Sequence, residues 1–264
     1  MKEEYGILEG KMIKSNLDPD WIKKSIMELK VETPSWGYGD AGTRYKVFKQ
    51  IGMPRNLYEK LDDAAMVNKY TGICPSVAVH IPWDKVDDYS DAGDYARQKG
   101  LRIGAVNPNL FQEDDYMLGS VCNADPAIRK KATDHMIECV DIARKFKSNE
   151  ISLWFADGTN YPGQGSFMKR KHWMIDSLLS LDSAMDEDMR MFIEYKAFEP
   201  AFYHTDINDW GMALLLANRV GKKGYVLVDL GHHAQEVNIE HIVANLIDEG
   251  KMGGFHFNNK KYAD

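Results

Sequence analysis

The chain has 264 residues, of which 44% are hydrophobic and 28% charged, with a formal net charge of −7. That length suits one α/β barrel or, less easily, two small domains, and it is enough to bury a large core. The acidic balance advertises no basic face, so nucleic acid is excluded as the expected partner, because phosphate contacts need gathered Lys and Arg.

The opening, MKEEYGILEGKMIKSN, has no apolar h-region, and no apolar run is long enough to span a bilayer. Cys74, Cys122 and Cys139 are odd in number and make no Cys-x-x-Cys, which points to a reducing compartment. A cytoplasmic protein with no membrane partner is the expectation. Residues 1–32 read as a helical extension: Asp18-Pro19-Asp20 opens a stretch with Trp21, Ile22, Ile26, Met27 and Leu29 on one side. A Gly-rich loop, SWGYGDAGTRYKVF, follows. Short β-rich runs then recur at Ser76–Trp83, Ile103–Pro108, Ile151–Ala156, Met191–Lys196, Tyr225–Asp229 and Gly254–Asn258, with an earlier one near Thr33–Gly37. Helical spacing fills the gaps at Ala127–Phe146, His172–Met185, Trp210–Val220 and Ile239–Asp248. Continuously apolar strands are buried on both faces, and a repeated βα order implies a parallel sheet covered by helices. Residues 33–264 are therefore expected to form a (β/α)8 barrel whose eighth β-α unit is missing from this chain. An open doubly wound sheet is the competing fold, and periodicity does not separate the two.

Polar residues cluster at the carboxyl ends of these strands, where parallel α/β folds gather function. SVAVH ends in His80, followed by Trp83 and Asp84; ISLWFADG delivers Trp154 and Asp157; FIEYK carries Glu194 and Lys196; YVLVDLGHH delivers Asp229 and His232; GFHFNN carries His256 and Asn258, with Asp264 just beyond. Residues two apart on a strand share a face, so Glu194 and Lys196 point the same way, as an ion pair or as a carboxylate ligand beside a cation. In a barrel Glu194, Asp229 and His256 lie at similar depth on successive strands, and such an oxygen and nitrogen set without thiolates suits Mn²⁺ or Mg²⁺. Taken singly, Glu194 is a core carboxylate with a nearby Lys, His256 a hydrogen-bonded core histidine and Asp229 a helix cap. Taken together, the strand ends point to a metal site. His233 reads as solvated and His204 as a loop residue, while Trp36, Trp83 and Trp154 suit either core or the walls of a pocket.

Gly37-Tyr38-Gly39-Asp40-Ala41-Gly42 matches G-x-G-x-x-G, with Asp62 about twenty residues on. The match is discounted, because VETPSW is a poor strand and Asp62 sits in the helical pattern LYEKLDDAAM. No P-loop, His-Glu-x-x-His or Gly-x-Ser-x-Gly occurs.

From about Trp36 to the last residue, the motifs SWGYGDAGTRYKVF, VAVHIPWD, GAVNPNLFQ, SLWFADGTNYPGQ, IEYKAFEP, VDLGHHAQ and GGFHFNNKKYAD resemble the L-rhamnose isomerases, and more broadly the xylose-isomerase-like barrels. The resemblance implies a cytoplasmic homotetramer that converts an aldose to its 2-ketose, L-rhamnose to L-rhamnulose, by a metal-assisted hydride shift. It implies two divalent cations, typically Mn²⁺, with Mg²⁺, Co²⁺ or Zn²⁺ as substitutes. On that resemblance Glu194 bridges both ions, Asp229 and His256 bind the first, and His232 and Asp264 bind the second. His232, Asp264 and Lys196 are the catalytic set, while Trp36, His80, Trp83 and Trp154 line the sugar pocket. Tyr45 or Phe48 is the aromatic that reaches a neighbouring subunit. The family carries further Asp ligands that would lie beyond Asp264, so the expectation is that this chain alone binds metal weakly, folds poorly and leaves its seventh strand as an open edge. Two other readings stand beside it. A ketose 3-epimerase with one metal would need a second strand-borne Glu, and Glu199 lies past its strand end. A catalytically dead remnant would bind sugar without turnover.

Overall fold

The computed structural model describes residues 2–39, 48–199 and 203–258. Two helices come first, α1 (Lys2–Lys14) and α2 (Pro19–Met27), the second capped by Asp18 as its Asp-Pro-Asp start predicts. Neither helix has a buried residue, and Trp21, Ile26, Met27 and Leu29 are all exposed.

Alternating strands and helices follow: β1 (Glu32–Pro34), α3 (Leu57–Thr71), β2 (Ser76–Ile81), α4 (Tyr89–Gln98), β3 (Arg102–Pro108), α5 (Pro126–Phe146), β4 (Glu150–Leu153), α6 (Phe167–Ala184), β5 (Arg190–Glu194), β6 (Phe198–Glu199), β7 (Tyr203–His204), α7 (Trp210–Val220), β8 (Gly224–Asp229), α8 (Ile239–Asp248) and β9 (Met252–His256). From α3 to α8 every helix opens on an Asp, Asn or Ser side chain that accepts a backbone N–H: Asn56, Asp88, Asp125, Ser166, Asp209 and Asn238. Each cap satisfies a donor that the first helical turn leaves without a partner.

Seven strands pair in parallel in the order β1-β2-β3-β4-β5-β8-β9. Each is added beside the last on the same side, so the sheet has no point at which strand order reverses. That is the winding of a barrel and not of a doubly wound sheet. Successive crossover helices pack on one another and on the outer face of the sheet, burying Leu57, Val79, Val106, Met136, Ile151, Leu178, Ile193, Val228 and Leu246 in one core. No helix among the described residues is long and apolar enough to cross a membrane.

The ends of several elements differ from the sequence reading. β1 ends at Pro34, and Ser35–Gly37 coil into a 3₁₀ turn instead of continuing the strand, since Pro34 offers no N–H to a ladder. β4 stops at Leu153, so Trp154 leaves the sheet. His204 is not in a loop: it pairs with Phe198 in the antiparallel ribbon of β6 and β7. Gly158 lets that ribbon approach, because a Cβ there would stand 2.3 Å from the His204 carbonyl oxygen.

Candidate functional site

β5, β8 and β9 end side by side, and their last residues meet. Glu194 closes β5, and Asp229 closes β8 in register with His256, the last residue of β9. Glu194, Asp229 and His256 each offer a ligand atom within 4.8 Å of the others. His256 Nδ1 lies 3.3 Å from Glu194 Oε1 and 3.6 Å from Asp229 Oδ2. In the turn after β8, Gly231 N–H donates to Asp229 Oδ1 at 2.6 Å. That turn brings His232 back to the same point, its Nδ1 3.2 Å from Glu194 Oε1 and its Nε2 3.6 Å from Asp229 Oδ2.

Two buried carboxylates and two imidazoles therefore share one small volume at the carboxyl end of the sheet. Burial works to raise the Glu194 carboxyl, but the charges and hydrogen bonds of His256 and His232 outweigh it and hold Glu194 well below the usual carboxylate range. Burial likewise works to lower His256, yet Glu194 and Asp229 lift it to about 10. His232 is raised against burial by the same two carboxylates. The carboxylates hold cationic partners strongly, and hard oxygen donors with imidazole nitrogen are a donor set for a Mn²⁺-like or Mg²⁺-like ion.

An aromatic wall stands on the other half of the sheet, at the ends of β1 to β4. His80, on β2, stacks on Trp83 with ring centroids 3.9 Å apart. Trp36, from the 3₁₀ turn, meets His80 edge-on at 5.5 Å, and Phe111 meets Trp154 edge-on at 4.9 Å. Lys196 brings its ammonium over the Trp154 ring, 5.8 Å from the centroid, and so stands where the wall meets the carboxylates. Burial drives the His80 imidazole down to about 3, with the His135 and Lys60 charges adding to it, so His80 is neutral. Its Nδ1 is buried with no hydrogen-bond partner, and so is Trp154 Nε1. Buried polar atoms of native folds usually have a partner, so these two are the polar atoms of the wall that the protein itself leaves unpaired. Trp83 differs, because its Nε1–H donates to Gln112 Oε1 at 2.6 Å.

A buried ion pair anchors this wall from below. Asp84 accepts from Lys60 Nζ at 2.7 Å, from the His80 backbone N–H at 2.8 Å and from the Ser35 hydroxyl. One carboxylate thus ties the loop that carries Trp36 to the strand that carries His80.

The structure brings Glu194, Asp229, His232 and His256 together, sets Trp36, His80, Trp83 and Trp154 in one wall, and places Lys196 between the two groups. Asp264 and Tyr45 lie outside the described residues, and Phe48 is 78% exposed. Asp157 does not join the site. It is 1% exposed and accepts from Ser120 N–H at 2.9 Å, Ser120 Oγ at 2.6 Å and Cys122 N–H at 2.7 Å. Its neighbour Asp206 pairs with Arg170 at 2.7 Å, so this second acidic group is a structural knot that already holds its own cation. His233 is not a solvated residue either: it is half-buried and bonded to the Tyr195 hydroxyl. Sequence reasoning missed Phe111 and Tyr195. Phe111 lies three residues past the end of β3 in NPNLFQ, where the strand-end rule could have found it, whereas Tyr195 reads as one more apolar strand residue.

No family model matches the chain. It is 41% identical over 269 residues to a protein named a probable sugar isomerase in Rhizobium meliloti (strain 1021), covering 100% of this chain and 63% of that one. It is 38% identical to another so named in Mesorhizobium japonicum, covering 100% of this chain and 62% of that one. The chain thus spans less than two thirds of the length of either relative. Among solved structures, the D-allulose 3-epimerase from Methylomonas sp. superimposes with a TM-score of 0.63 at 16% identity, covering 87% of this chain and 72% of the epimerase. At that identity the likeness speaks for the fold, a parallel α/β barrel arc.

Proposed function

We propose that this chain carries the cation- and sugar-binding face of a metal-dependent sugar isomerase that interconverts an aldose and its 2-ketose. The observation that carries the reading is the meeting of Glu194, Asp229, His232 and His256 at three adjacent strand ends, opposite an aromatic wall with two unsatisfied polar atoms. Glu194, Asp229 and His256 would hold one divalent cation, with Glu194 shared toward a second held by His232 and Asp264. A cation there supplies positive charge that polarises a carbonyl oxygen and the hydroxyl beside it.

The chain's own groups supply the rest. Lys196 offers an ammonium beside the Trp154 ring, where it can hydrogen-bond an oxygen on which negative charge develops. Trp154 Nε1 can only donate, and a substrate hydroxyl oxygen is a suitable acceptor. Neutral His80 offers Nδ1 to a second hydroxyl. Trp36, Trp83, Phe111 and Trp154 cover the apolar faces of the sugar and keep water from the reacting carbons. The two named isomerase relatives support the reaction class, and the motif resemblance makes L-rhamnose the first aldose to offer. The same resemblance implies a homotetramer, which sedimentation velocity tests.

A second reading is epimerisation of a ketose at the carbon beside its carbonyl. It is favoured by the buried carboxylate pair of Glu194 and Asp229, since removing and returning a proton needs a base near that carbon. The epimerase of similar fold is named for such a reaction on D-allulose. One experiment separates the two: incubate the chain with Mn²⁺ and either L-rhamnose or D-allulose in deuterated water. A new ketose from L-rhamnose, with little deuterium at carbon, supports the isomerase. A C3 epimer of D-allulose carrying one deuterium supports the epimerase. Glu194→Gln should lower either turnover by roughly 100-fold or more. Sugar binding without turnover, with Mn²⁺ bound, would overturn both in favour of a non-catalytic sugar-binding protein.

A further inference from the structure

Tyr195 directly follows Glu194, the last residue of β5. It is 2% exposed. Its two polar groups grip consecutive residues of the turn after β8. Its backbone carbonyl accepts from His232 Nδ1 at 3.1 Å, and its hydroxyl shares a 2.6 Å hydrogen bond with His233 Nε2. The Tyr195 and His233 rings meet edge-on, 5.3 Å apart at 78°. A carbonyl only accepts, so the proton of His232 must sit on Nδ1. The other neighbour of that nitrogen, Glu194 Oε1 at 3.2 Å, is also an acceptor and agrees. A neutral His232 then keeps its lone pair on Nε2, the nitrogen that looks toward Asp229.

We propose that Tyr195 and His233 are positioning residues: together they clamp the turn after β8 and fix the rotamer and tautomer of His232, so that Nε2 is the nitrogen it presents to a cation. This rests on reading the Glu194 cluster as a cation site. The hydroxyl of Tyr195 pins His233, the carbonyl of Tyr195 pins His232, and the peptide between the two histidines makes the pins act on one unit. Outer partners of this kind orient a ligand ring, and losing one weakens cation binding by roughly 10–100-fold.

The test uses Tyr195→Phe, which keeps ring and carbonyl and removes the hydroxyl, and His233→Gln, whose amide nitrogen can occupy the place of Nε2. Mn²⁺ binding is measured by calorimetry, the visible spectrum of bound Co²⁺ reports ligand geometry, and the His232 Nδ1 proton is followed by NMR in the metal-free chain. The expected result is a 10–100-fold weaker Mn²⁺ affinity and an altered Co²⁺ spectrum for Tyr195→Phe. The Nδ1 proton should be lost to exchange in that variant, and His233→Gln should stay near the parent on all three measures. Parent affinity, parent spectrum and a persistent Nδ1 proton in Tyr195→Phe would overturn the proposal. If the parent chain itself binds no divalent ion, the cation reading fails, and the Nδ1 proton alone decides the clamp. Its loss in Tyr195→Phe with retention in His233→Gln supports the clamp, and its persistence in both refutes it.

Discussion

Glu194 and Asp229 would be costly to bury as bare anions, and the extra proton on His256 offsets part of that cost in the metal-free chain. His256, lifted from 6.5 to about 10, is a cation at neutral pH. A divalent ion must displace that proton to bind. Mn²⁺ affinity should therefore rise with pH below about 10, up to tenfold per unit for each proton displaced. Calorimetry in buffers of different ionisation enthalpy counts the protons released, and zero release would refute this account. Folding linkage has the opposite sign. The raised His256 contributes stability that is fully present below its unfolded value near 6.5 and is lost as pH rises through about 10. The metal-free chain should thus become easier to unfold in urea across the pH range in which it binds Mn²⁺ better.

Two buried knots hold the elements that deliver the site. In the first, Lys60 of α3 and Asp84 beyond β2 pair with side chains only 6% and 0% exposed. Asp84→Ala leaves the Lys60 charge without its partner and frees the His80 backbone and the Ser35 hydroxyl, so it should cost about 3–5 kcal/mol, read from urea denaturation. In the second, Asp157 holds the loop of Ser120 and Cys122 against the end of β4. Burial lifts its carboxyl, with the Ser120 and Cys122 donors working against that rise. Asp157→Ala should lower stability by about 1–3 kcal/mol through the backbone donors it leaves unpaired, and should leave Mn²⁺ affinity unchanged. A parallel loss of Mn²⁺ binding would return Asp157 to the site.

At the scale of the molecule, the unbroken strand order is that of a barrel arc, and it places both halves of the site along the carboxyl edge of one sheet. β1 and β9 are the edge strands among the described residues, and Phe255 and Phe257 beside that second edge are 39% and 65% exposed. The first two helices stand apart from the core. Deleting residues 2–29 should change unfolding free energy by less than about 0.5 kcal/mol, because no residue of either helix is buried. A larger loss in a urea melt would show that they brace the barrel.

Much of this was legible in the chain itself. Strand and helix periods located the repeating βα units, with α7 and α8 placed at their observed ends, because buried parallel strands are continuously apolar and the covering helices carry one apolar stripe at helical spacing. Placement at strand ends singled out Glu194, Asp229, His232 and His256, because period-two alternation leaves few residues facing one axis. The same rule also marked Asp157, which the fold ties to the Ser120 and Cys122 amides and not to the Glu194 cluster. One-dimensional spacing does not say whether a carboxylate at a strand end turns inward or is captured by the amides of a neighbouring loop, and Ser120 lies 37 residues away in sequence. Nor could it show that one tyrosine grips both histidines of the turn after β8, or that His80 and Trp154 leave polar atoms unsatisfied on one wall. Pattern along the chain determined the elements and most of the ligand-type residues. Contacts between distant segments, formed only when the sheet curves, decided which of those residues share a site and which are structural.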